Sequence, residues 1–193
     1  MTHRMICCER TATIPWLTLH PPTLEPSPVR GAGIANREID DGVRSGRDMA
    51  RIIVHLHGRA KDRSARAMIE DFAARIKGRG ISVDENSSKS LSPKDFEAAL
   101  ASASGDLILF DEGGEVLSSN EFAALVESFG LAGQTVNLAI GPTDGFSAEI
   151  KAMAKQLISL SSLTTTHELA AVLLLEQLYR ATEINRGTPY HRD

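Results

Sequence analysis

The chain has 193 residues, 42% of them hydrophobic and 24% charged, which suits one ordinary domain with a packed core and excludes wholesale disorder. The formal net charge of −4 argues against a nucleic-acid binder of the usual basic kind, so any RNA site requires a local basic patch. No apolar run reaches the roughly 18 residues of a membrane span, and the only two cysteines, the adjacent Cys7 and Cys8, make no disulfide framework and fit a reducing compartment, the cytoplasm.

Residues 1–48 read as foreign to the rest. Five of the eight prolines fall at positions 15, 21, 22, 26 and 28, and no helical or strand period is sustained there. The segment lacks the basic start, apolar stretch and small-residue cleavage site of a secretory signal. MARIIVHLHGR then begins at Met49 as many α/β chains begin. The expectation is a Pro-rich extension over 1–48, disordered or upstream of the true start at Met49, and a domain over 49–193.

Within 49–193 the apolar pattern alternates between strand and helix periods. Ile52, Val54 and Leu56 mark a strand ended by Gly58. Ser64–Lys77 carries Ile69, Phe72 and Ile76 at helical spacing, closed by Gly78 and Gly80. Ile81–Val83 is a short strand. Ser92-Pro93 opens a helix with a capping serine and a proline in the first turn. Leu107–Phe110 is a strand apolar enough to be central and parallel. Ser118 and Glu121 predict a capping box for a helix through Phe129. Thr135–Ile140 is a strand, GPTDG at 141–145 a tight loop, Ser147–Gln156 a helix and Leu157–Leu163 a last strand-like stretch. Thr165 and Glu168 are candidates to cap a final helix running to about Ile184. The fold class is α/β with a mainly parallel sheet and helices on both faces.

Two features stand out. The final helix carries Leu169, Val172, Leu173, Leu174, Leu175 and Leu178 around most of its circumference, so it is either a central core helix or one covered partly by a second subunit. FDEGG, IGPTDG and SLSSLTTTH each follow a strand, where loops of a parallel sheet bind ligands. GPTDG lacks both the GxGxxG pattern and the Lys-Ser/Thr of a phosphate loop. His55 and His57 have no third ligand at metal spacing, so no metal is expected. Glu176 and Arg180 have the spacing of a helical ion pair.

LLLEQLYRA at 173–181, followed by PYHR at 189–192, resembles the RlmH family of SPOUT-class methyltransferases. LFDEGGEVLSSNEFA at 109–123 and SLSSLT at 159–164 are similar to further segments of that family, and the match runs from Met49 to Asp193. The resemblance implies methyl transfer to N3 of a pseudouridine in large-subunit ribosomal RNA, on the assembled ribosome. It also implies a C-terminal trefoil knot and a homodimer with its sites at the interface. S-adenosylmethionine would contact Phe110, Gly141 and the run Leu160, Ser161, Ser162, Leu163, Thr164 and Thr165. Three positions depart from the family pattern: Pro142 replaces a second glycine, Thr165-Thr166-His167 replaces Leu-Pro-His, and Ala171 replaces an arginine.

In the implied reaction the imide N–H must lose its proton before nitrogen attacks the methyl group. His191 is the candidate for proton handling or base contact, Arg192 for a phosphate or base carbonyl, and Tyr190 for stacking or a hydrogen bond. The alternative is that Tyr190 and His191 only pin the C-terminus. His167 is read as shaping its loop, and Asp111 and Glu112 as loop-shaping groups or indirect cofactor contacts. Residues 1–48 hold six basic and six acidic side chains, so the net charge belongs to the main domain. The basic patch would draw on Arg51, Arg59, Lys61, Arg63, Arg180, Arg186 and Arg192. The competing functions are a SPOUT enzyme with another RNA target and a ribosome-binding protein that has lost activity.

Overall fold

The structure is a computed structural model that describes residues 51–86 and 91–190. The expected extension over 1–48, the start at Met49, and the tail residues His191, Arg192 and Asp193 lie outside the described residues.

Among the described residues five strands and five helices alternate: β1 (Ile52–Leu56), α1 (Arg63–Lys77), β2 (Ile81–Glu85), α2 (Pro93–Ser102), β3 (Asp106–Val116), α3 (Ser119–Ala132), β4 (Val136–Ile140), α4 (Ala148–Met153), β5 (Gln156–Ser159) and α5 (His167–Asn185). The sheet order is β2-β1-β4-β3-β5, and every pair is parallel. Strand β4 lies at the centre and is buried at all five positions, as a strand covered on both faces must be.

Alternation along the strands feeds two cores. Ile108 and Phe110 of β3, with Leu138 and Ile140 of β4, join α1, α3 and α5 on one face. Leu107, Leu109 and Ala139 join Phe96 and Leu100 of α2 and Ile150 of α4 on the other. Each such side chain, fully buried, contributes about 1.5–3 kcal/mol. The expected three-layer α/β architecture is therefore present.

The helix starts follow the sequence closely. Ser92 accepts from the Asp95 N–H at the head of α2. Ser118 and Glu121 form the reciprocal capping box of α3, which runs three residues past the expected Phe129 to a left-handed Gly133. At α5 the cap is Thr166, not Thr165: its hydroxyl accepts from Leu169 N–H. Glu168 turns away and accepts the backbone N–H groups of Lys61 at 2.6 Å and Asp62 at 3.3 Å. It thereby ties the segment before α1 to the start of α5.

Three boundaries differ from expectation. FDEGG is not a loop after β3, because β3 continues to Val116. Ile158 pairs with both Phe110 and Glu115, so the residues between them form an irregularity within the strand. Gly114 makes this possible, since a Cβ there would lie 2.6 Å from the backbone of Ile158. Helix α4 stops at Met153, not Gln156, because Ala154 turns extended and Lys155 N–H bonds to Leu107 C=O at 2.8 Å, drawing the chain into the sheet. Strand β5 ends at Ser159. Beyond it, Ser159 Oγ donates to Ser161 C=O and Ser161 Oγ accepts Leu163 N–H, local bonds that favour a loop over a ladder.

Helix α5 lies over the sheet between α1 and α3. Leu174, Leu175, Leu178 and Ala181 are completely buried, so this chain alone covers most of the apolar circumference. Leu169 remains 51% exposed. Past α5, the left-handed Gly187 turns the chain, and Thr188 donates to Glu183 from its N–H and from its hydroxyl. Arg79, two residues past the end of α1, pairs with the Glu183 carboxylate.

The packing leads to three expected outcomes. Gly114→Ala forces β3 from β5 and costs about 1–3 kcal/mol in urea unfolding. Gly130→Ala, on an exposed helical position with nothing within 4 Å of the new Cβ, stabilises by roughly 0.5–1 kcal/mol in the same measurement. The third concerns Glu183, whose carboxyl is held below its ordinary value of 4.5, first by the Thr188 hydroxyl and then by Arg79. A depressed folded pKa gives stability that is complete above the unfolded value and lost as pH falls through the folded one. The stability gap between wild type and Glu183→Gln is therefore widest near neutral pH and closes on acidification; a gap independent of pH would contradict this.

Candidate functional site

A cavity of about 590 Å³ opens beyond the carboxyl ends of β4 and β5, beside the irregular middle of β3, on the edge where parallel sheets bind ligands. It is lined by Phe110 of β3, by Ile140 at the end of β4 and Ser159 at the end of β5, by the 141–146 and 160–166 loops and by the first turn of α5. Of the residues expected at the cofactor, Phe110, Gly141, Leu160, Ser161, Leu163, Thr164 and Thr165 all line this cavity. Ser162 is exposed and does not line it.

The 141–146 loop is set by its smallest and stiffest residues. A Cβ on Gly141 would meet the Phe146 ring at 3.0–3.2 Å, so glycine lets the backbone lie against that ring. Pro142 is buried, and its carbonyl accepts the N–H of Gly145 at 2.9 Å, with Gly145 at a φ of +78°. The turn uses the proline's acceptor and has no need of the donor it lacks. His167 Nδ1 lies 3.4 Å from the Thr143 hydroxyl, joining this loop to the head of α5 in the loop-shaping role expected of it.

The cavity lining is acidic. Asp111, Glu112, Asp144 and Glu168 face a single lysine, Lys151. Asp111 is paired with Lys151 at 2.7 Å, and Glu168 is held by the two backbone N–H groups before α1. Lys151 and Phe146 are site residues that the sequence reading missed. Lys151 carried no signal, being one of several polar residues on a short helix. Phe146, next to GPTDG, had a signal in its position. Hydroxyls from Ser161, Thr164 and Thr165 and apolar walls from Phe110, Leu160 and Leu163 complete a pocket suited to an organic ligand with both a ring and polar groups.

Tyr190 is not part of this lining. It packs edge-on against Tyr179 of α5 at 4.9 Å, donates its hydroxyl to Glu176 Oε1 at 3.2 Å, and lies under the Arg180 guanidinium at 5.1 Å. Burial, then the Glu176 carboxylate, raise its pKa above the ordinary value, which keeps the hydroxyl a donor. Tyr190 is therefore held against α5. His191 and Arg192, the other expected tail residues, lie outside the described residues. The expected Glu176–Arg180 pair is present at 2.7 Å.

The remaining candidates have structural partners. His55 Nε2 meets Asn137 Oδ1 at 3.0 Å, and His57 Nε2 donates to Leu91 C=O at 3.2 Å while its ring packs on Phe96. Of the expected basic patch, Arg59 is engaged by Glu70 and Glu85, whereas Arg51, Lys61, Arg63 and Arg186 are exposed. Among the described residues no helix is long and apolar enough to cross a membrane.

The family model described as "Predicted SPOUT methyltransferase" matches residues 50–191. Ribosomal RNA large subunit methyltransferase H of Sorangium cellulosum (strain So ce56) is 39% identical over 143 residues, covering 72% of this chain and 98% of that protein. The protein of the same name from Cereibacter sphaeroides (strain KD131 / KCTC 12085) is 35% identical over 146 residues, covering 70% of this chain and 94% of that one. Another from Prochlorococcus marinus (strain MIT 9303) is 43% identical over 115 residues, covering 58% and 75%. Matched over residues 50–191 by the family model and over nearly the whole length of two of these relatives, the chain belongs to the SPOUT methyltransferase family and, within it, to the family of ribosomal RNA large subunit methyltransferase H.

Proposed function

We propose that this chain transfers a methyl group from S-adenosylmethionine to N3 of a pseudouridine in large-subunit ribosomal RNA, acting in the cytoplasm on the assembled ribosome. The observation that carries the reading is the cavity, to which seven of the eight positions expected at the cofactor converge although they come from three separate segments. Its chemistry fits the cofactor. The apolar residues accept a nucleoside ring, and the hydroxyls of Ser161, Thr164 and Thr165 accept its polar edges. The acidic lining favours a cation such as a sulfonium over an anion.

Bound there, S-adenosylmethionine supplies an electrophilic methyl group. The chain's task is to hold the pseudouridine in line with it and to manage one proton. Residues 190–192 carry that task in this reading: His191 takes the N3 proton or holds the base, Arg192 faces a phosphate or a base carbonyl, and Tyr190 anchors the pair. The aromatic and hydroxyl chemistry suits RNA recognised by shape and stacking.

The same reading includes a homodimer with its sites at the interface and the trefoil knot of the class, with residues 49–193 as the functional domain. Support for the dimer comes from Leu163 of the cavity lining, 76% exposed, from Leu169 near the start of α5, 51% exposed, and from Tyr190, which is seated away from its own cavity. A partner subunit would cover the leucines and supply its tail.

Removal of residues 190–193 is expected to leave a folded dimer that binds S-adenosylmethionine in calorimetry and no longer methylates ribosomes. A fully active truncated protein would reduce the tail to an anchor.

A further inference from the structure

Glu176 sits near the middle of α5, six residues and therefore about 9 Å along the axis from Ala170, where the cavity lining ends. It touches nothing in the cavity. Its side chain is only 19% exposed, and both oxygens are engaged. Oε1 accepts from the Arg180 guanidinium at 2.7 Å and from the Tyr190 hydroxyl at 3.2 Å. Oε2 accepts from the Gln177 amide at 2.7 Å. An ion pair one turn apart is an ordinary surface feature of a helix. The third partner, which comes from beyond the end of the helix, is not.

Tyr190 is held at three places. The carboxylate fixes its hydroxyl, Tyr179 receives it at 82° between ring planes, and Arg180 covers its face. Tyr179 is itself fixed, with the guanidinium of Arg79 at 4.9 Å from its ring centroid, that of Arg75 at 5.5 Å, and Phe72 beside it. The seat thus rests on α1 as well as α5. Upstream, the chain between α5 and Tyr190 is pinned by Thr188 on Glu183. The chain is thus held at Thr188 and again at Tyr190, the last residue the structure describes.

We infer that Glu176 is a positioning residue for methyl transfer: by seating Tyr190 it fixes where the last three residues leave the fold. This rests on the proposed role of the tail in RNA methylation. Glu176 acts through Tyr190 and makes no contact of its own with the reacting groups.

The test is a double-mutant cycle between Glu176→Met, which keeps the length and removes the acceptor, and Tyr190→Phe, which keeps the ring and removes the donor. Single-turnover methyl transfer is measured on ribosomes at saturating S-adenosylmethionine, beside calorimetry of the cofactor. Each single change is expected to slow transfer about tenfold or more, as misplacement of a reacting group does. The double variant is expected to be no slower than the worse single, and cofactor affinity to stay within about twofold, because the two residues act as one unit. Losses that multiply to about a hundredfold would show independent roles and overturn the inference. Full activity in either single variant would also overturn it. Tyr190→Phe alters only an exposed hydroxyl, so it remains decisive if Glu176→Met does not fold. The truncation of residues 190–193 in the same assay separates the two ideas. If it is inactive while both single variants are normal, only the seat is wrong; if it is fully active, the tail reading fails and the seat with it.

Discussion

Helix α5 cannot move in its middle, and both ends of the site depend on that. Leu174, Leu175, Leu178 and Ala181 are completely enclosed between α1, α3 and the sheet. Truncating one such leucine to alanine typically costs 2–5 kcal/mol, on the order of a third of a small domain's net stability. With its centre locked, the helix holds its first turn against the cavity and its last turn beneath the tail. At the first turn, Thr166 caps the helix, Glu168 straps the segment before α1, and His167 meets Thr143. Past the last, Gly187 redirects the chain to Tyr190 on its seat.

The sheet contributes the other constraint. Placing β3 between β4 and β5 brings the 141–146 loop and the loop after β5 to the same cavity as Phe110, Asp111 and Glu112. Two stiff devices then shape the ligand space. Gly141 and Phe146 bring one wall close, and the Asp111–Lys151 pair fixes the irregular stretch of β3 to α4. On the proposed reading, the cofactor enters a site already formed and the RNA meets a tail whose departure is already set. Such prior order lowers the cost of arranging the reacting groups.

Local chemistry was legible in the sequence wherever one residue type has one dominant reason to be present. Ser92-Pro93, the Ser118/Glu121 box, His167 and the Glu176–Arg180 pair stand where their spacing places them. Long-range choices were not legible. Gly113-Gly114 reads as a loop because glycine weakens strands, and only the contact with Ile158 reveals a strand that needs a missing side chain. Glu168 has the spacing to cap its own helix and caps another segment instead, because the Lys61 and Asp62 N–H groups lie within reach only after folding. The apolar circumference of α5 suggested a second subunit, yet α1, α3 and the sheet cover most of it, leaving the case for a dimer to Leu163 and Leu169. The cavity residues were named through family resemblance rather than spacing, since Gly, Ser and Thr runs have many uses.

The central claim is a chemical one, that this chain methylates N3 of one pseudouridine in large-subunit ribosomal RNA. Mass mapping of that RNA, from cells with and without the gene, tests it most directly. The account predicts that the N3 methyl group disappears on deletion and returns when the full chain is supplied. An N3 site still fully methylated in the deletion strain would contradict it.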